Sequence, residues 1–405
     1  LLRAPVLTRS GYGEQSRFAL RALRSREDLF DIYIHPIEWG QTSWVSDNDE
    51  ERLWIDERVA QTIQYIQNNG TFDISVQVTI PNEWQRMATH NVGYTAGMET
   101  TRVAHEWLQL GNQMDSLIVV SNHSKNIYEN TTYEAVEQET NRRVMLTLDK
   151  EVSSVNYPVK TYDNLNALEL DLEYDFNFVT VAQMGPRKNL LNTIKWFLEE
   201  FHDDEVGLVV KTNMARNCQV DREMVHGNLL GLLRSPEYAD RKCKVYMLHG
   251  DLTDQEMHEI HLHPKIKAFV SLTHGEGFGL PIYEAAYMGT PVVATAWSGQ
   301  LDFLVDEKGE NRFYDVAFDL RQIPEQAEWQ GVIVKDSMWA YPREAAAKNK
   351  MRECYNDVIN NNCDACEYAD ELKERFAPEK MYAQFIDAMK IPAELTTEPI
   401  KQDFV

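Results

Sequence analysis

Residues 273–294 read Thr-His-Gly-Glu-Gly-Phe-Gly-Leu-Pro-Ile-Tyr-Glu-Ala-Ala-Tyr-Met-Gly-Thr-Pro-Val-Val-Ala, and the rest of the chain is read from them. The apolar run 268–272 just before them suits a parallel strand buried on both faces. Gly275, Gly277 and Gly279 let the backbone come close to a ligand. Pro281 fits the first position of a helix predicted over 281–288, which Gly289 ends. A second strand is predicted over 291–296. A loop that ends on a helix start offers free N–H groups and a dipole to an anion such as a phosphate. Glu276 and Glu284, with seven residues between them, stand on either side of that anion site. Carboxylates bind hydroxyls rather than phosphates, so the pair suits a sugar joined to a nucleotide.

This stretch resembles the signature of the family 4 retaining glycosyltransferases. The resemblance implies an α/β fold of two Rossmann-like domains facing across a cleft, called GT-B, with a C-terminal helix crossing back to the N-domain. It implies that Glu276 faces the donor sugar and Glu284 the ribose. Gly275, Gly277, Phe278, Gly279 and Leu280 then line the donor site.

Other segments extend the resemblance. A basic loop, Gln183-Met184-Gly185-Pro186-Arg187-Lys188-Asn189, follows a strand predicted over 176–182. It is similar to the family's diphosphate clamp, with Lys188 at the position of its lysine. Gln183 stands where the family has arginine, which leaves Arg187 or Lys211 to supply the second cation. An arginine grips phosphate with a planar fork and a lysine as a point charge. His249, after a strand predicted over 245–248, is placed to stack on the base. Near the start, Gly11 and Gly13 match the family's loop beneath the diphosphate. Glu99, in the stretch 94–107, falls at the edge of the donor pocket.

Further patterns are read without the family. Arg17, Arg21 and Arg24 recur on one helical stripe, as a solvated face or as a contact for an anionic acceptor. His258, His261 and His263 read as surface histidines. Asp47-Asn48-Asp49 reads as a surface loop before an acidic helix over 48–68. Strands are expected over 30–35, 74–78, 116–120 and 155–159, and helices over 343–360, 364–376 and 378–389.

The chain has 405 residues and a net charge of −24, from 64 acidic and 40 basic residues. That balance disfavours bulk binding to nucleic acid or to an anionic membrane, without excluding a local basic patch. No apolar run approaches the roughly 20 residues that span a bilayer. The first seven residues are too short for a signal peptide, so a cytoplasmic location is expected. Five cysteines argue against a disulfide framework, and the lone C-x-x-C of Cys363 and Cys366 lacks the ligands of a zinc site.

The expected organisation is an acceptor domain over 1–165, a nucleotide-sugar domain over 175–378, and a returning helix with a polar tail over 379–405. The expected activity is retaining transfer of a sugar from a nucleoside-diphosphate sugar, on UDP or GDP, to an acceptor hydroxyl. Catalysis rests on Glu276, Lys188 and Arg187, with no metal and no cofactor beyond the donor. Glycan, lipid, protein and a hydroxymethylated DNA base remain open as acceptors. The alternatives are a phosphorylase on the same scaffold and a degenerate nucleotide-sugar-binding module.

Overall fold

The computed structural model describes residues 1–40, 42–45, 48–136 and 141–396. Asp47 and the tail beyond residue 396 lie outside them.

Two six-stranded parallel sheets organise the chain. The first holds β1 (Leu2–Ala4), β2 (Ile34–Pro36), β3 (Ile74–Val78), β4 (His90–Thr95) and β5 (Ser116–Val119). A hairpin, β6 (Tyr133–Val136) and β7 (Arg143–Leu146), precedes its edge strand β8 (Val152–Ser154). The order is β2-β1-β3-β4-β5-β8. The second sheet holds β9 (Phe176–Val181), β10 (Val206–Lys211), β11 (Lys244–Leu248), β12 (Ile266–Ser271), β13 (Val292–Thr295) and β14 (Tyr314–Val316), in the order β11-β10-β9-β12-β13-β14. A second hairpin, β15 (Phe318–Gln322) and β16 (Met338–Pro342), follows.

Both sheets reverse their winding beside their first strand, between β1 and β3 and between β9 and β12. Ligands of open α/β sheets bind at such a point, beyond the strand C-termini. The loops carrying Arg187, Lys188 and Glu276 leave β9 and β12, so the topology brings these residues together. The central strands β9, β10 and β12 are mostly apolar and buried on both faces, as helices covering both sides require.

The last described α-helix, Pro378–Ala388, returns to the first domain. Phe385 packs edge-on to Phe18 and Tyr94, with centroids 5.4 and 5.1 Å apart. The Met389 carbonyl lies 2.8 Å from both His90 Nε2 and Ser116 Oγ. One apolar core therefore runs from the first sheet through this helix to the face of the second domain that carries Phe278, Tyr283 and Phe303.

Several expectations need correction. Residues 155–159 form no strand; the edge strand is β8, just before them. The 30–35 strand is confined to β2, and β4 was not anticipated. The arginines of the stripe are engaged within the fold rather than forming a fully solvated face, with Arg21 and Arg24 only partly exposed. Arg17 is buried, donates to the carbonyls of Val6 and Thr8 and pairs with Glu14 at 3.1 Å. Arg21 forks onto Glu51 at 2.6 and 2.8 Å, and Arg24 lies over the Trp54 ring. His258 and His261 are buried rather than on the surface: His258 bonds Tyr287, and His261 Nδ1 lies 3.1 Å from Thr290 Oγ1.

Candidate active site

The glycine-rich loop is fixed from behind. The Glu276 N–H donates to Ser298 Oγ at 2.9 Å, and the Gly299 N–H donates to the Glu276 carbonyl at 3.0 Å. Ser298 holds φ +76° to reach this position. A Cβ on Gly299 would stand 2.0 Å from the Gly277 carbonyl, so only glycine fits there. Gly279 caps the following helix, Leu280–Tyr287, with φ +99°. Among the described residues, the N–H groups of Gly277, Phe278, Gly279 and Leu280 donate to nothing. A helix start with four unused donors is a ready anion site.

The charges converge beside it. Lys188 Nζ lies 2.6 Å from Glu276 Oε1, and Arg187 NH1 lies 3.0 Å from Oε2 and 2.6 Å from the Gly275 carbonyl. The Glu276 side chain is only 8% exposed. Burial alone would raise its carboxyl, but Lys188 and Arg187 outweigh burial and hold it down at about 2. Burial lowers Lys188, which Glu276 partly offsets, while Glu99 and Glu276 together outweigh burial and raise Arg187.

The first domain meets this loop directly. Arg187 NH2 lies 3.4 Å from Glu99 Oε1, so Arg187 spans the cleft. A Cβ on Gly275 would come within 2.4 Å of the Glu99 carbonyl, and one on Gly277 within 2.3 Å of the Ala96 carbonyl. These two glycines serve close approach between domains. Gly13 likewise lets the first helix, Gly11–Arg24, sit against the Thr8 carbonyl, whereas Gly11 faces open space. Tyr12 Oη lies 2.8 Å from Thr95 Oγ1, which ties that helix to the strand before Ala96.

Glu284 stands on the other side of the helix start, in an acidic group that sequence reading did not assemble. Lys160, from the segment joining the domains, pairs with Glu14 at 2.9 Å and Asp254 at 2.8 Å. Burial raises the Glu284 carboxyl to about 7, partly opposed by Lys160 and reinforced by Asp254 and Glu14. A carboxyl in that range can both accept and donate hydrogen bonds to hydroxyls.

Not every expected residue faces the cleft. The Phe278 ring packs among Tyr157, Tyr283 and Phe303 in the core, so only its backbone is available. His249 is not free to stack on a base: its ring is 2% exposed and Nε2 lies 2.8 Å from Asp221 Oδ1. Lys211 is buried and donates to the Gly250 carbonyl at 2.7 Å, leaving Arg187 as the second cation beside Glu276. Gln183 turns to the Met214 carbonyl. Among the described residues, no group of three or more His, Cys, Asp or Glu is placed to hold a metal ion. No described helix is long and apolar enough to cross a membrane.

Residues 242–316 match the model of the glycosyl transferases group 1 family. No curated protein matches the chain by sequence. Among solved structures, sucrose-phosphate synthase from Thermosynechococcus elongatus is similar at 12% identity and TM-score 0.59, covering 96% of this chain and 97% of that one. HepE from Anabaena, solved with UDP and glucose, is similar at 14% identity and TM-score 0.58, covering 96% and 98%. The chain spans 59% of the length of S. aureus TarM, to which it is 13% identical with TM-score 0.47 over 82% of this chain. The first two likenesses show the shared two-domain fold.

Proposed function

We propose that this chain, which carries a group 1 glycosyltransferase region, transfers a sugar from a nucleoside-diphosphate donor to an acceptor hydroxyl with retention of configuration and without a metal. The observation that carries this reading is the meeting of four unused N–H groups with Lys188, Arg187 and Glu276 at one helix start. The amides and two cations take the diphosphate, whose negative charge grows as it leaves. Glu276 then accepts from the hydroxyls of the donor sugar, and Glu284 from the ribose.

The bond from the sugar's anomeric carbon to the diphosphate breaks as the bond to the acceptor oxygen forms on the same face. The acceptor proton passes to the leaving phosphate oxygen. The transition state is oxocarbenium-like, as in glycoside hydrolysis. Arg187, held between Glu276 and Glu99, links donor binding to closure of the cleft, which excludes water.

UDP is the first nucleotide to test, because the similar Anabaena protein was solved with it. The acceptor is a glycan, a lipid, a protein or a hydroxymethylated DNA base. The experiment is isotope-traced transfer from UDP- and GDP-sugars to pooled acceptors in EDTA, with the anomeric configuration of the product read by NMR. An inverted product, or a strict need for metal, contradicts this reading.

A further inference from the structure

The β15–β16 hairpin and its tip form an arm over residues 318–342 for which the donor site supplies no use. The arm leaves the second domain and lies on the first. Val332, 7% exposed, packs into the cluster of Trp84, Trp107 and Met114. Asn82 Nδ2 donates to the Gly331 carbonyl at 3.0 Å, and the Met338 N–H donates to Thr101 Oγ1 at 3.0 Å. Arg102 pairs with Asp336.

The base of the arm ends at the site. The Ala340 N–H donates to the His274 carbonyl at 3.0 Å, and His274 Nδ1 lies 2.9 Å from the Ala340 carbonyl. A carbonyl only accepts, so Nδ1 carries a proton and donates it. The imidazole lies nearly parallel to Trp339, 13° off with centroids 5.7 Å apart, and 4.3 Å from the Tyr341 ring. The His274 N–H donates to the Arg187 carbonyl at 2.8 Å. One residue thus joins three pieces: the arm, the loop of Arg187 and Lys188, and the loop of Gly275 and Glu276.

We infer that His274 is a positioning residue for the transfer, through which the docked arm holds Arg187 and Glu276 in register across the cleft. The inference rests on the donor site proposed above. Reacting groups must sit in near-attack geometry, and a shift of about 1 Å can cost on the order of 100-fold in rate. His274 touches neither cation nor carboxylate of the site by its side chain, so its loss acts on placement rather than on charge.

The test compares His274→Ala with His274→Asn, whose amide can replace Nδ1–H toward the Ala340 carbonyl, and with Val332→Ser at the far end of the arm. For His274→Ala, kcat is expected to fall by about 30-fold with the donor KM within about 2-fold, and His274→Asn to recover most of it. Val332→Ser is expected to lower kcat by about 10-fold while UDP affinity is kept. Amide hydrogen exchange, which needs no substrate, is expected to quicken at the hydrogen-bonded amides of 188–189 and 274–276 in both His274→Ala and Val332→Ser. Wild-type kcat in His274→Ala, or unchanged exchange in these loops, overturns the inference while leaving the donor site intact. A wild-type protein that binds no nucleoside diphosphate and transfers no sugar overturns the functional reading and this inference with it.

Discussion

Lys188 Nζ lies 2.6 Å from Glu276 Oε1, so in the free protein the cation proposed for the diphosphate is held by the carboxylate proposed for the sugar. Arg187 binds the other oxygen of the same carboxylate. With Glu99 also on Arg187, two cations meet two carboxylates, so the site is charge-balanced before any ligand enters, which is how so many ionised groups can be buried together. On the proposed reading, an arriving diphosphate would draw the cations from Glu276 and free its oxygens for hydroxyls. Donor binding and exposure of Glu276 would then be one event.

Lys188→Met should lower kcat by on the order of 100-fold, the scale for removing one stabiliser of a growing negative charge. Arg187 remains on Glu276, so the fold should survive. Steady-state kinetics beside circular dichroism checks both parts.

Gly277→Ala should harm the enzyme without touching a charge. Its Cβ would stand 2.3 Å from the Ala96 carbonyl, across the domain boundary. The expected loss is about 1–3 kcal/mol of stability, the scale of overpacking, together with a fall in kcat. Thermal unfolding at fixed pH measures the first.

The Glu276 carboxyl, at about 2 in the folded protein against 4.5 for a free glutamate, contributes stability above pH 4.5 that is lost as pH falls toward 2. Glu276→Gln should melt lower than wild type at pH 7. The gap should narrow as pH falls through this window, as paired melting curves would record.

Glu284 has the opposite sign. Its folded value of about 7 exceeds the free value of 4.5, so its burial costs stability progressively as pH rises between the two. Glu284→Gln should therefore melt about 2 °C above wild type at pH 8 and equal to it at pH 4.5. If Glu284 accepts from ribose, wild-type affinity for UDP should rise through pH 7, and the variant should lose that rise. Calorimetric titration at pH 6 and pH 8 decides it.

The second domain was the legible half. Its strands are short apolar runs and its helices show a 3.6 period, so β9, β12, β13 and the helix Leu280–Tyr287 could be placed from sequence. The topology then fixed which loops meet. What escaped depended on partners far away in the chain. Lys160 meets Glu14 and Asp254 from three separate segments. Ser298 supports Glu276 by a single hydroxyl. The arginines of the first helix have helical spacing whether they face solvent or Glu14 and Glu51, and spacing alone cannot tell which. His258 and His261 are buried because Tyr287 and Thr290 satisfy them, which no local pattern announces. His249 carries a similar lesson, since Asp221 claims its ring.

The most direct measurement is thermal shift of wild type and Lys188→Met against UDP, GDP and their sugar conjugates, each with and without EDTA. Binding to the folded state stabilises it by mass action, about 2.7 kcal/mol at a ligand concentration 100 times Kd. The account predicts a clear shift with one base, unchanged by EDTA and strongly reduced in Lys188→Met. No shift with any nucleotide, or an equal shift in the variant, would contradict a diphosphate site at Lys188, Arg187 and the 277–280 amides.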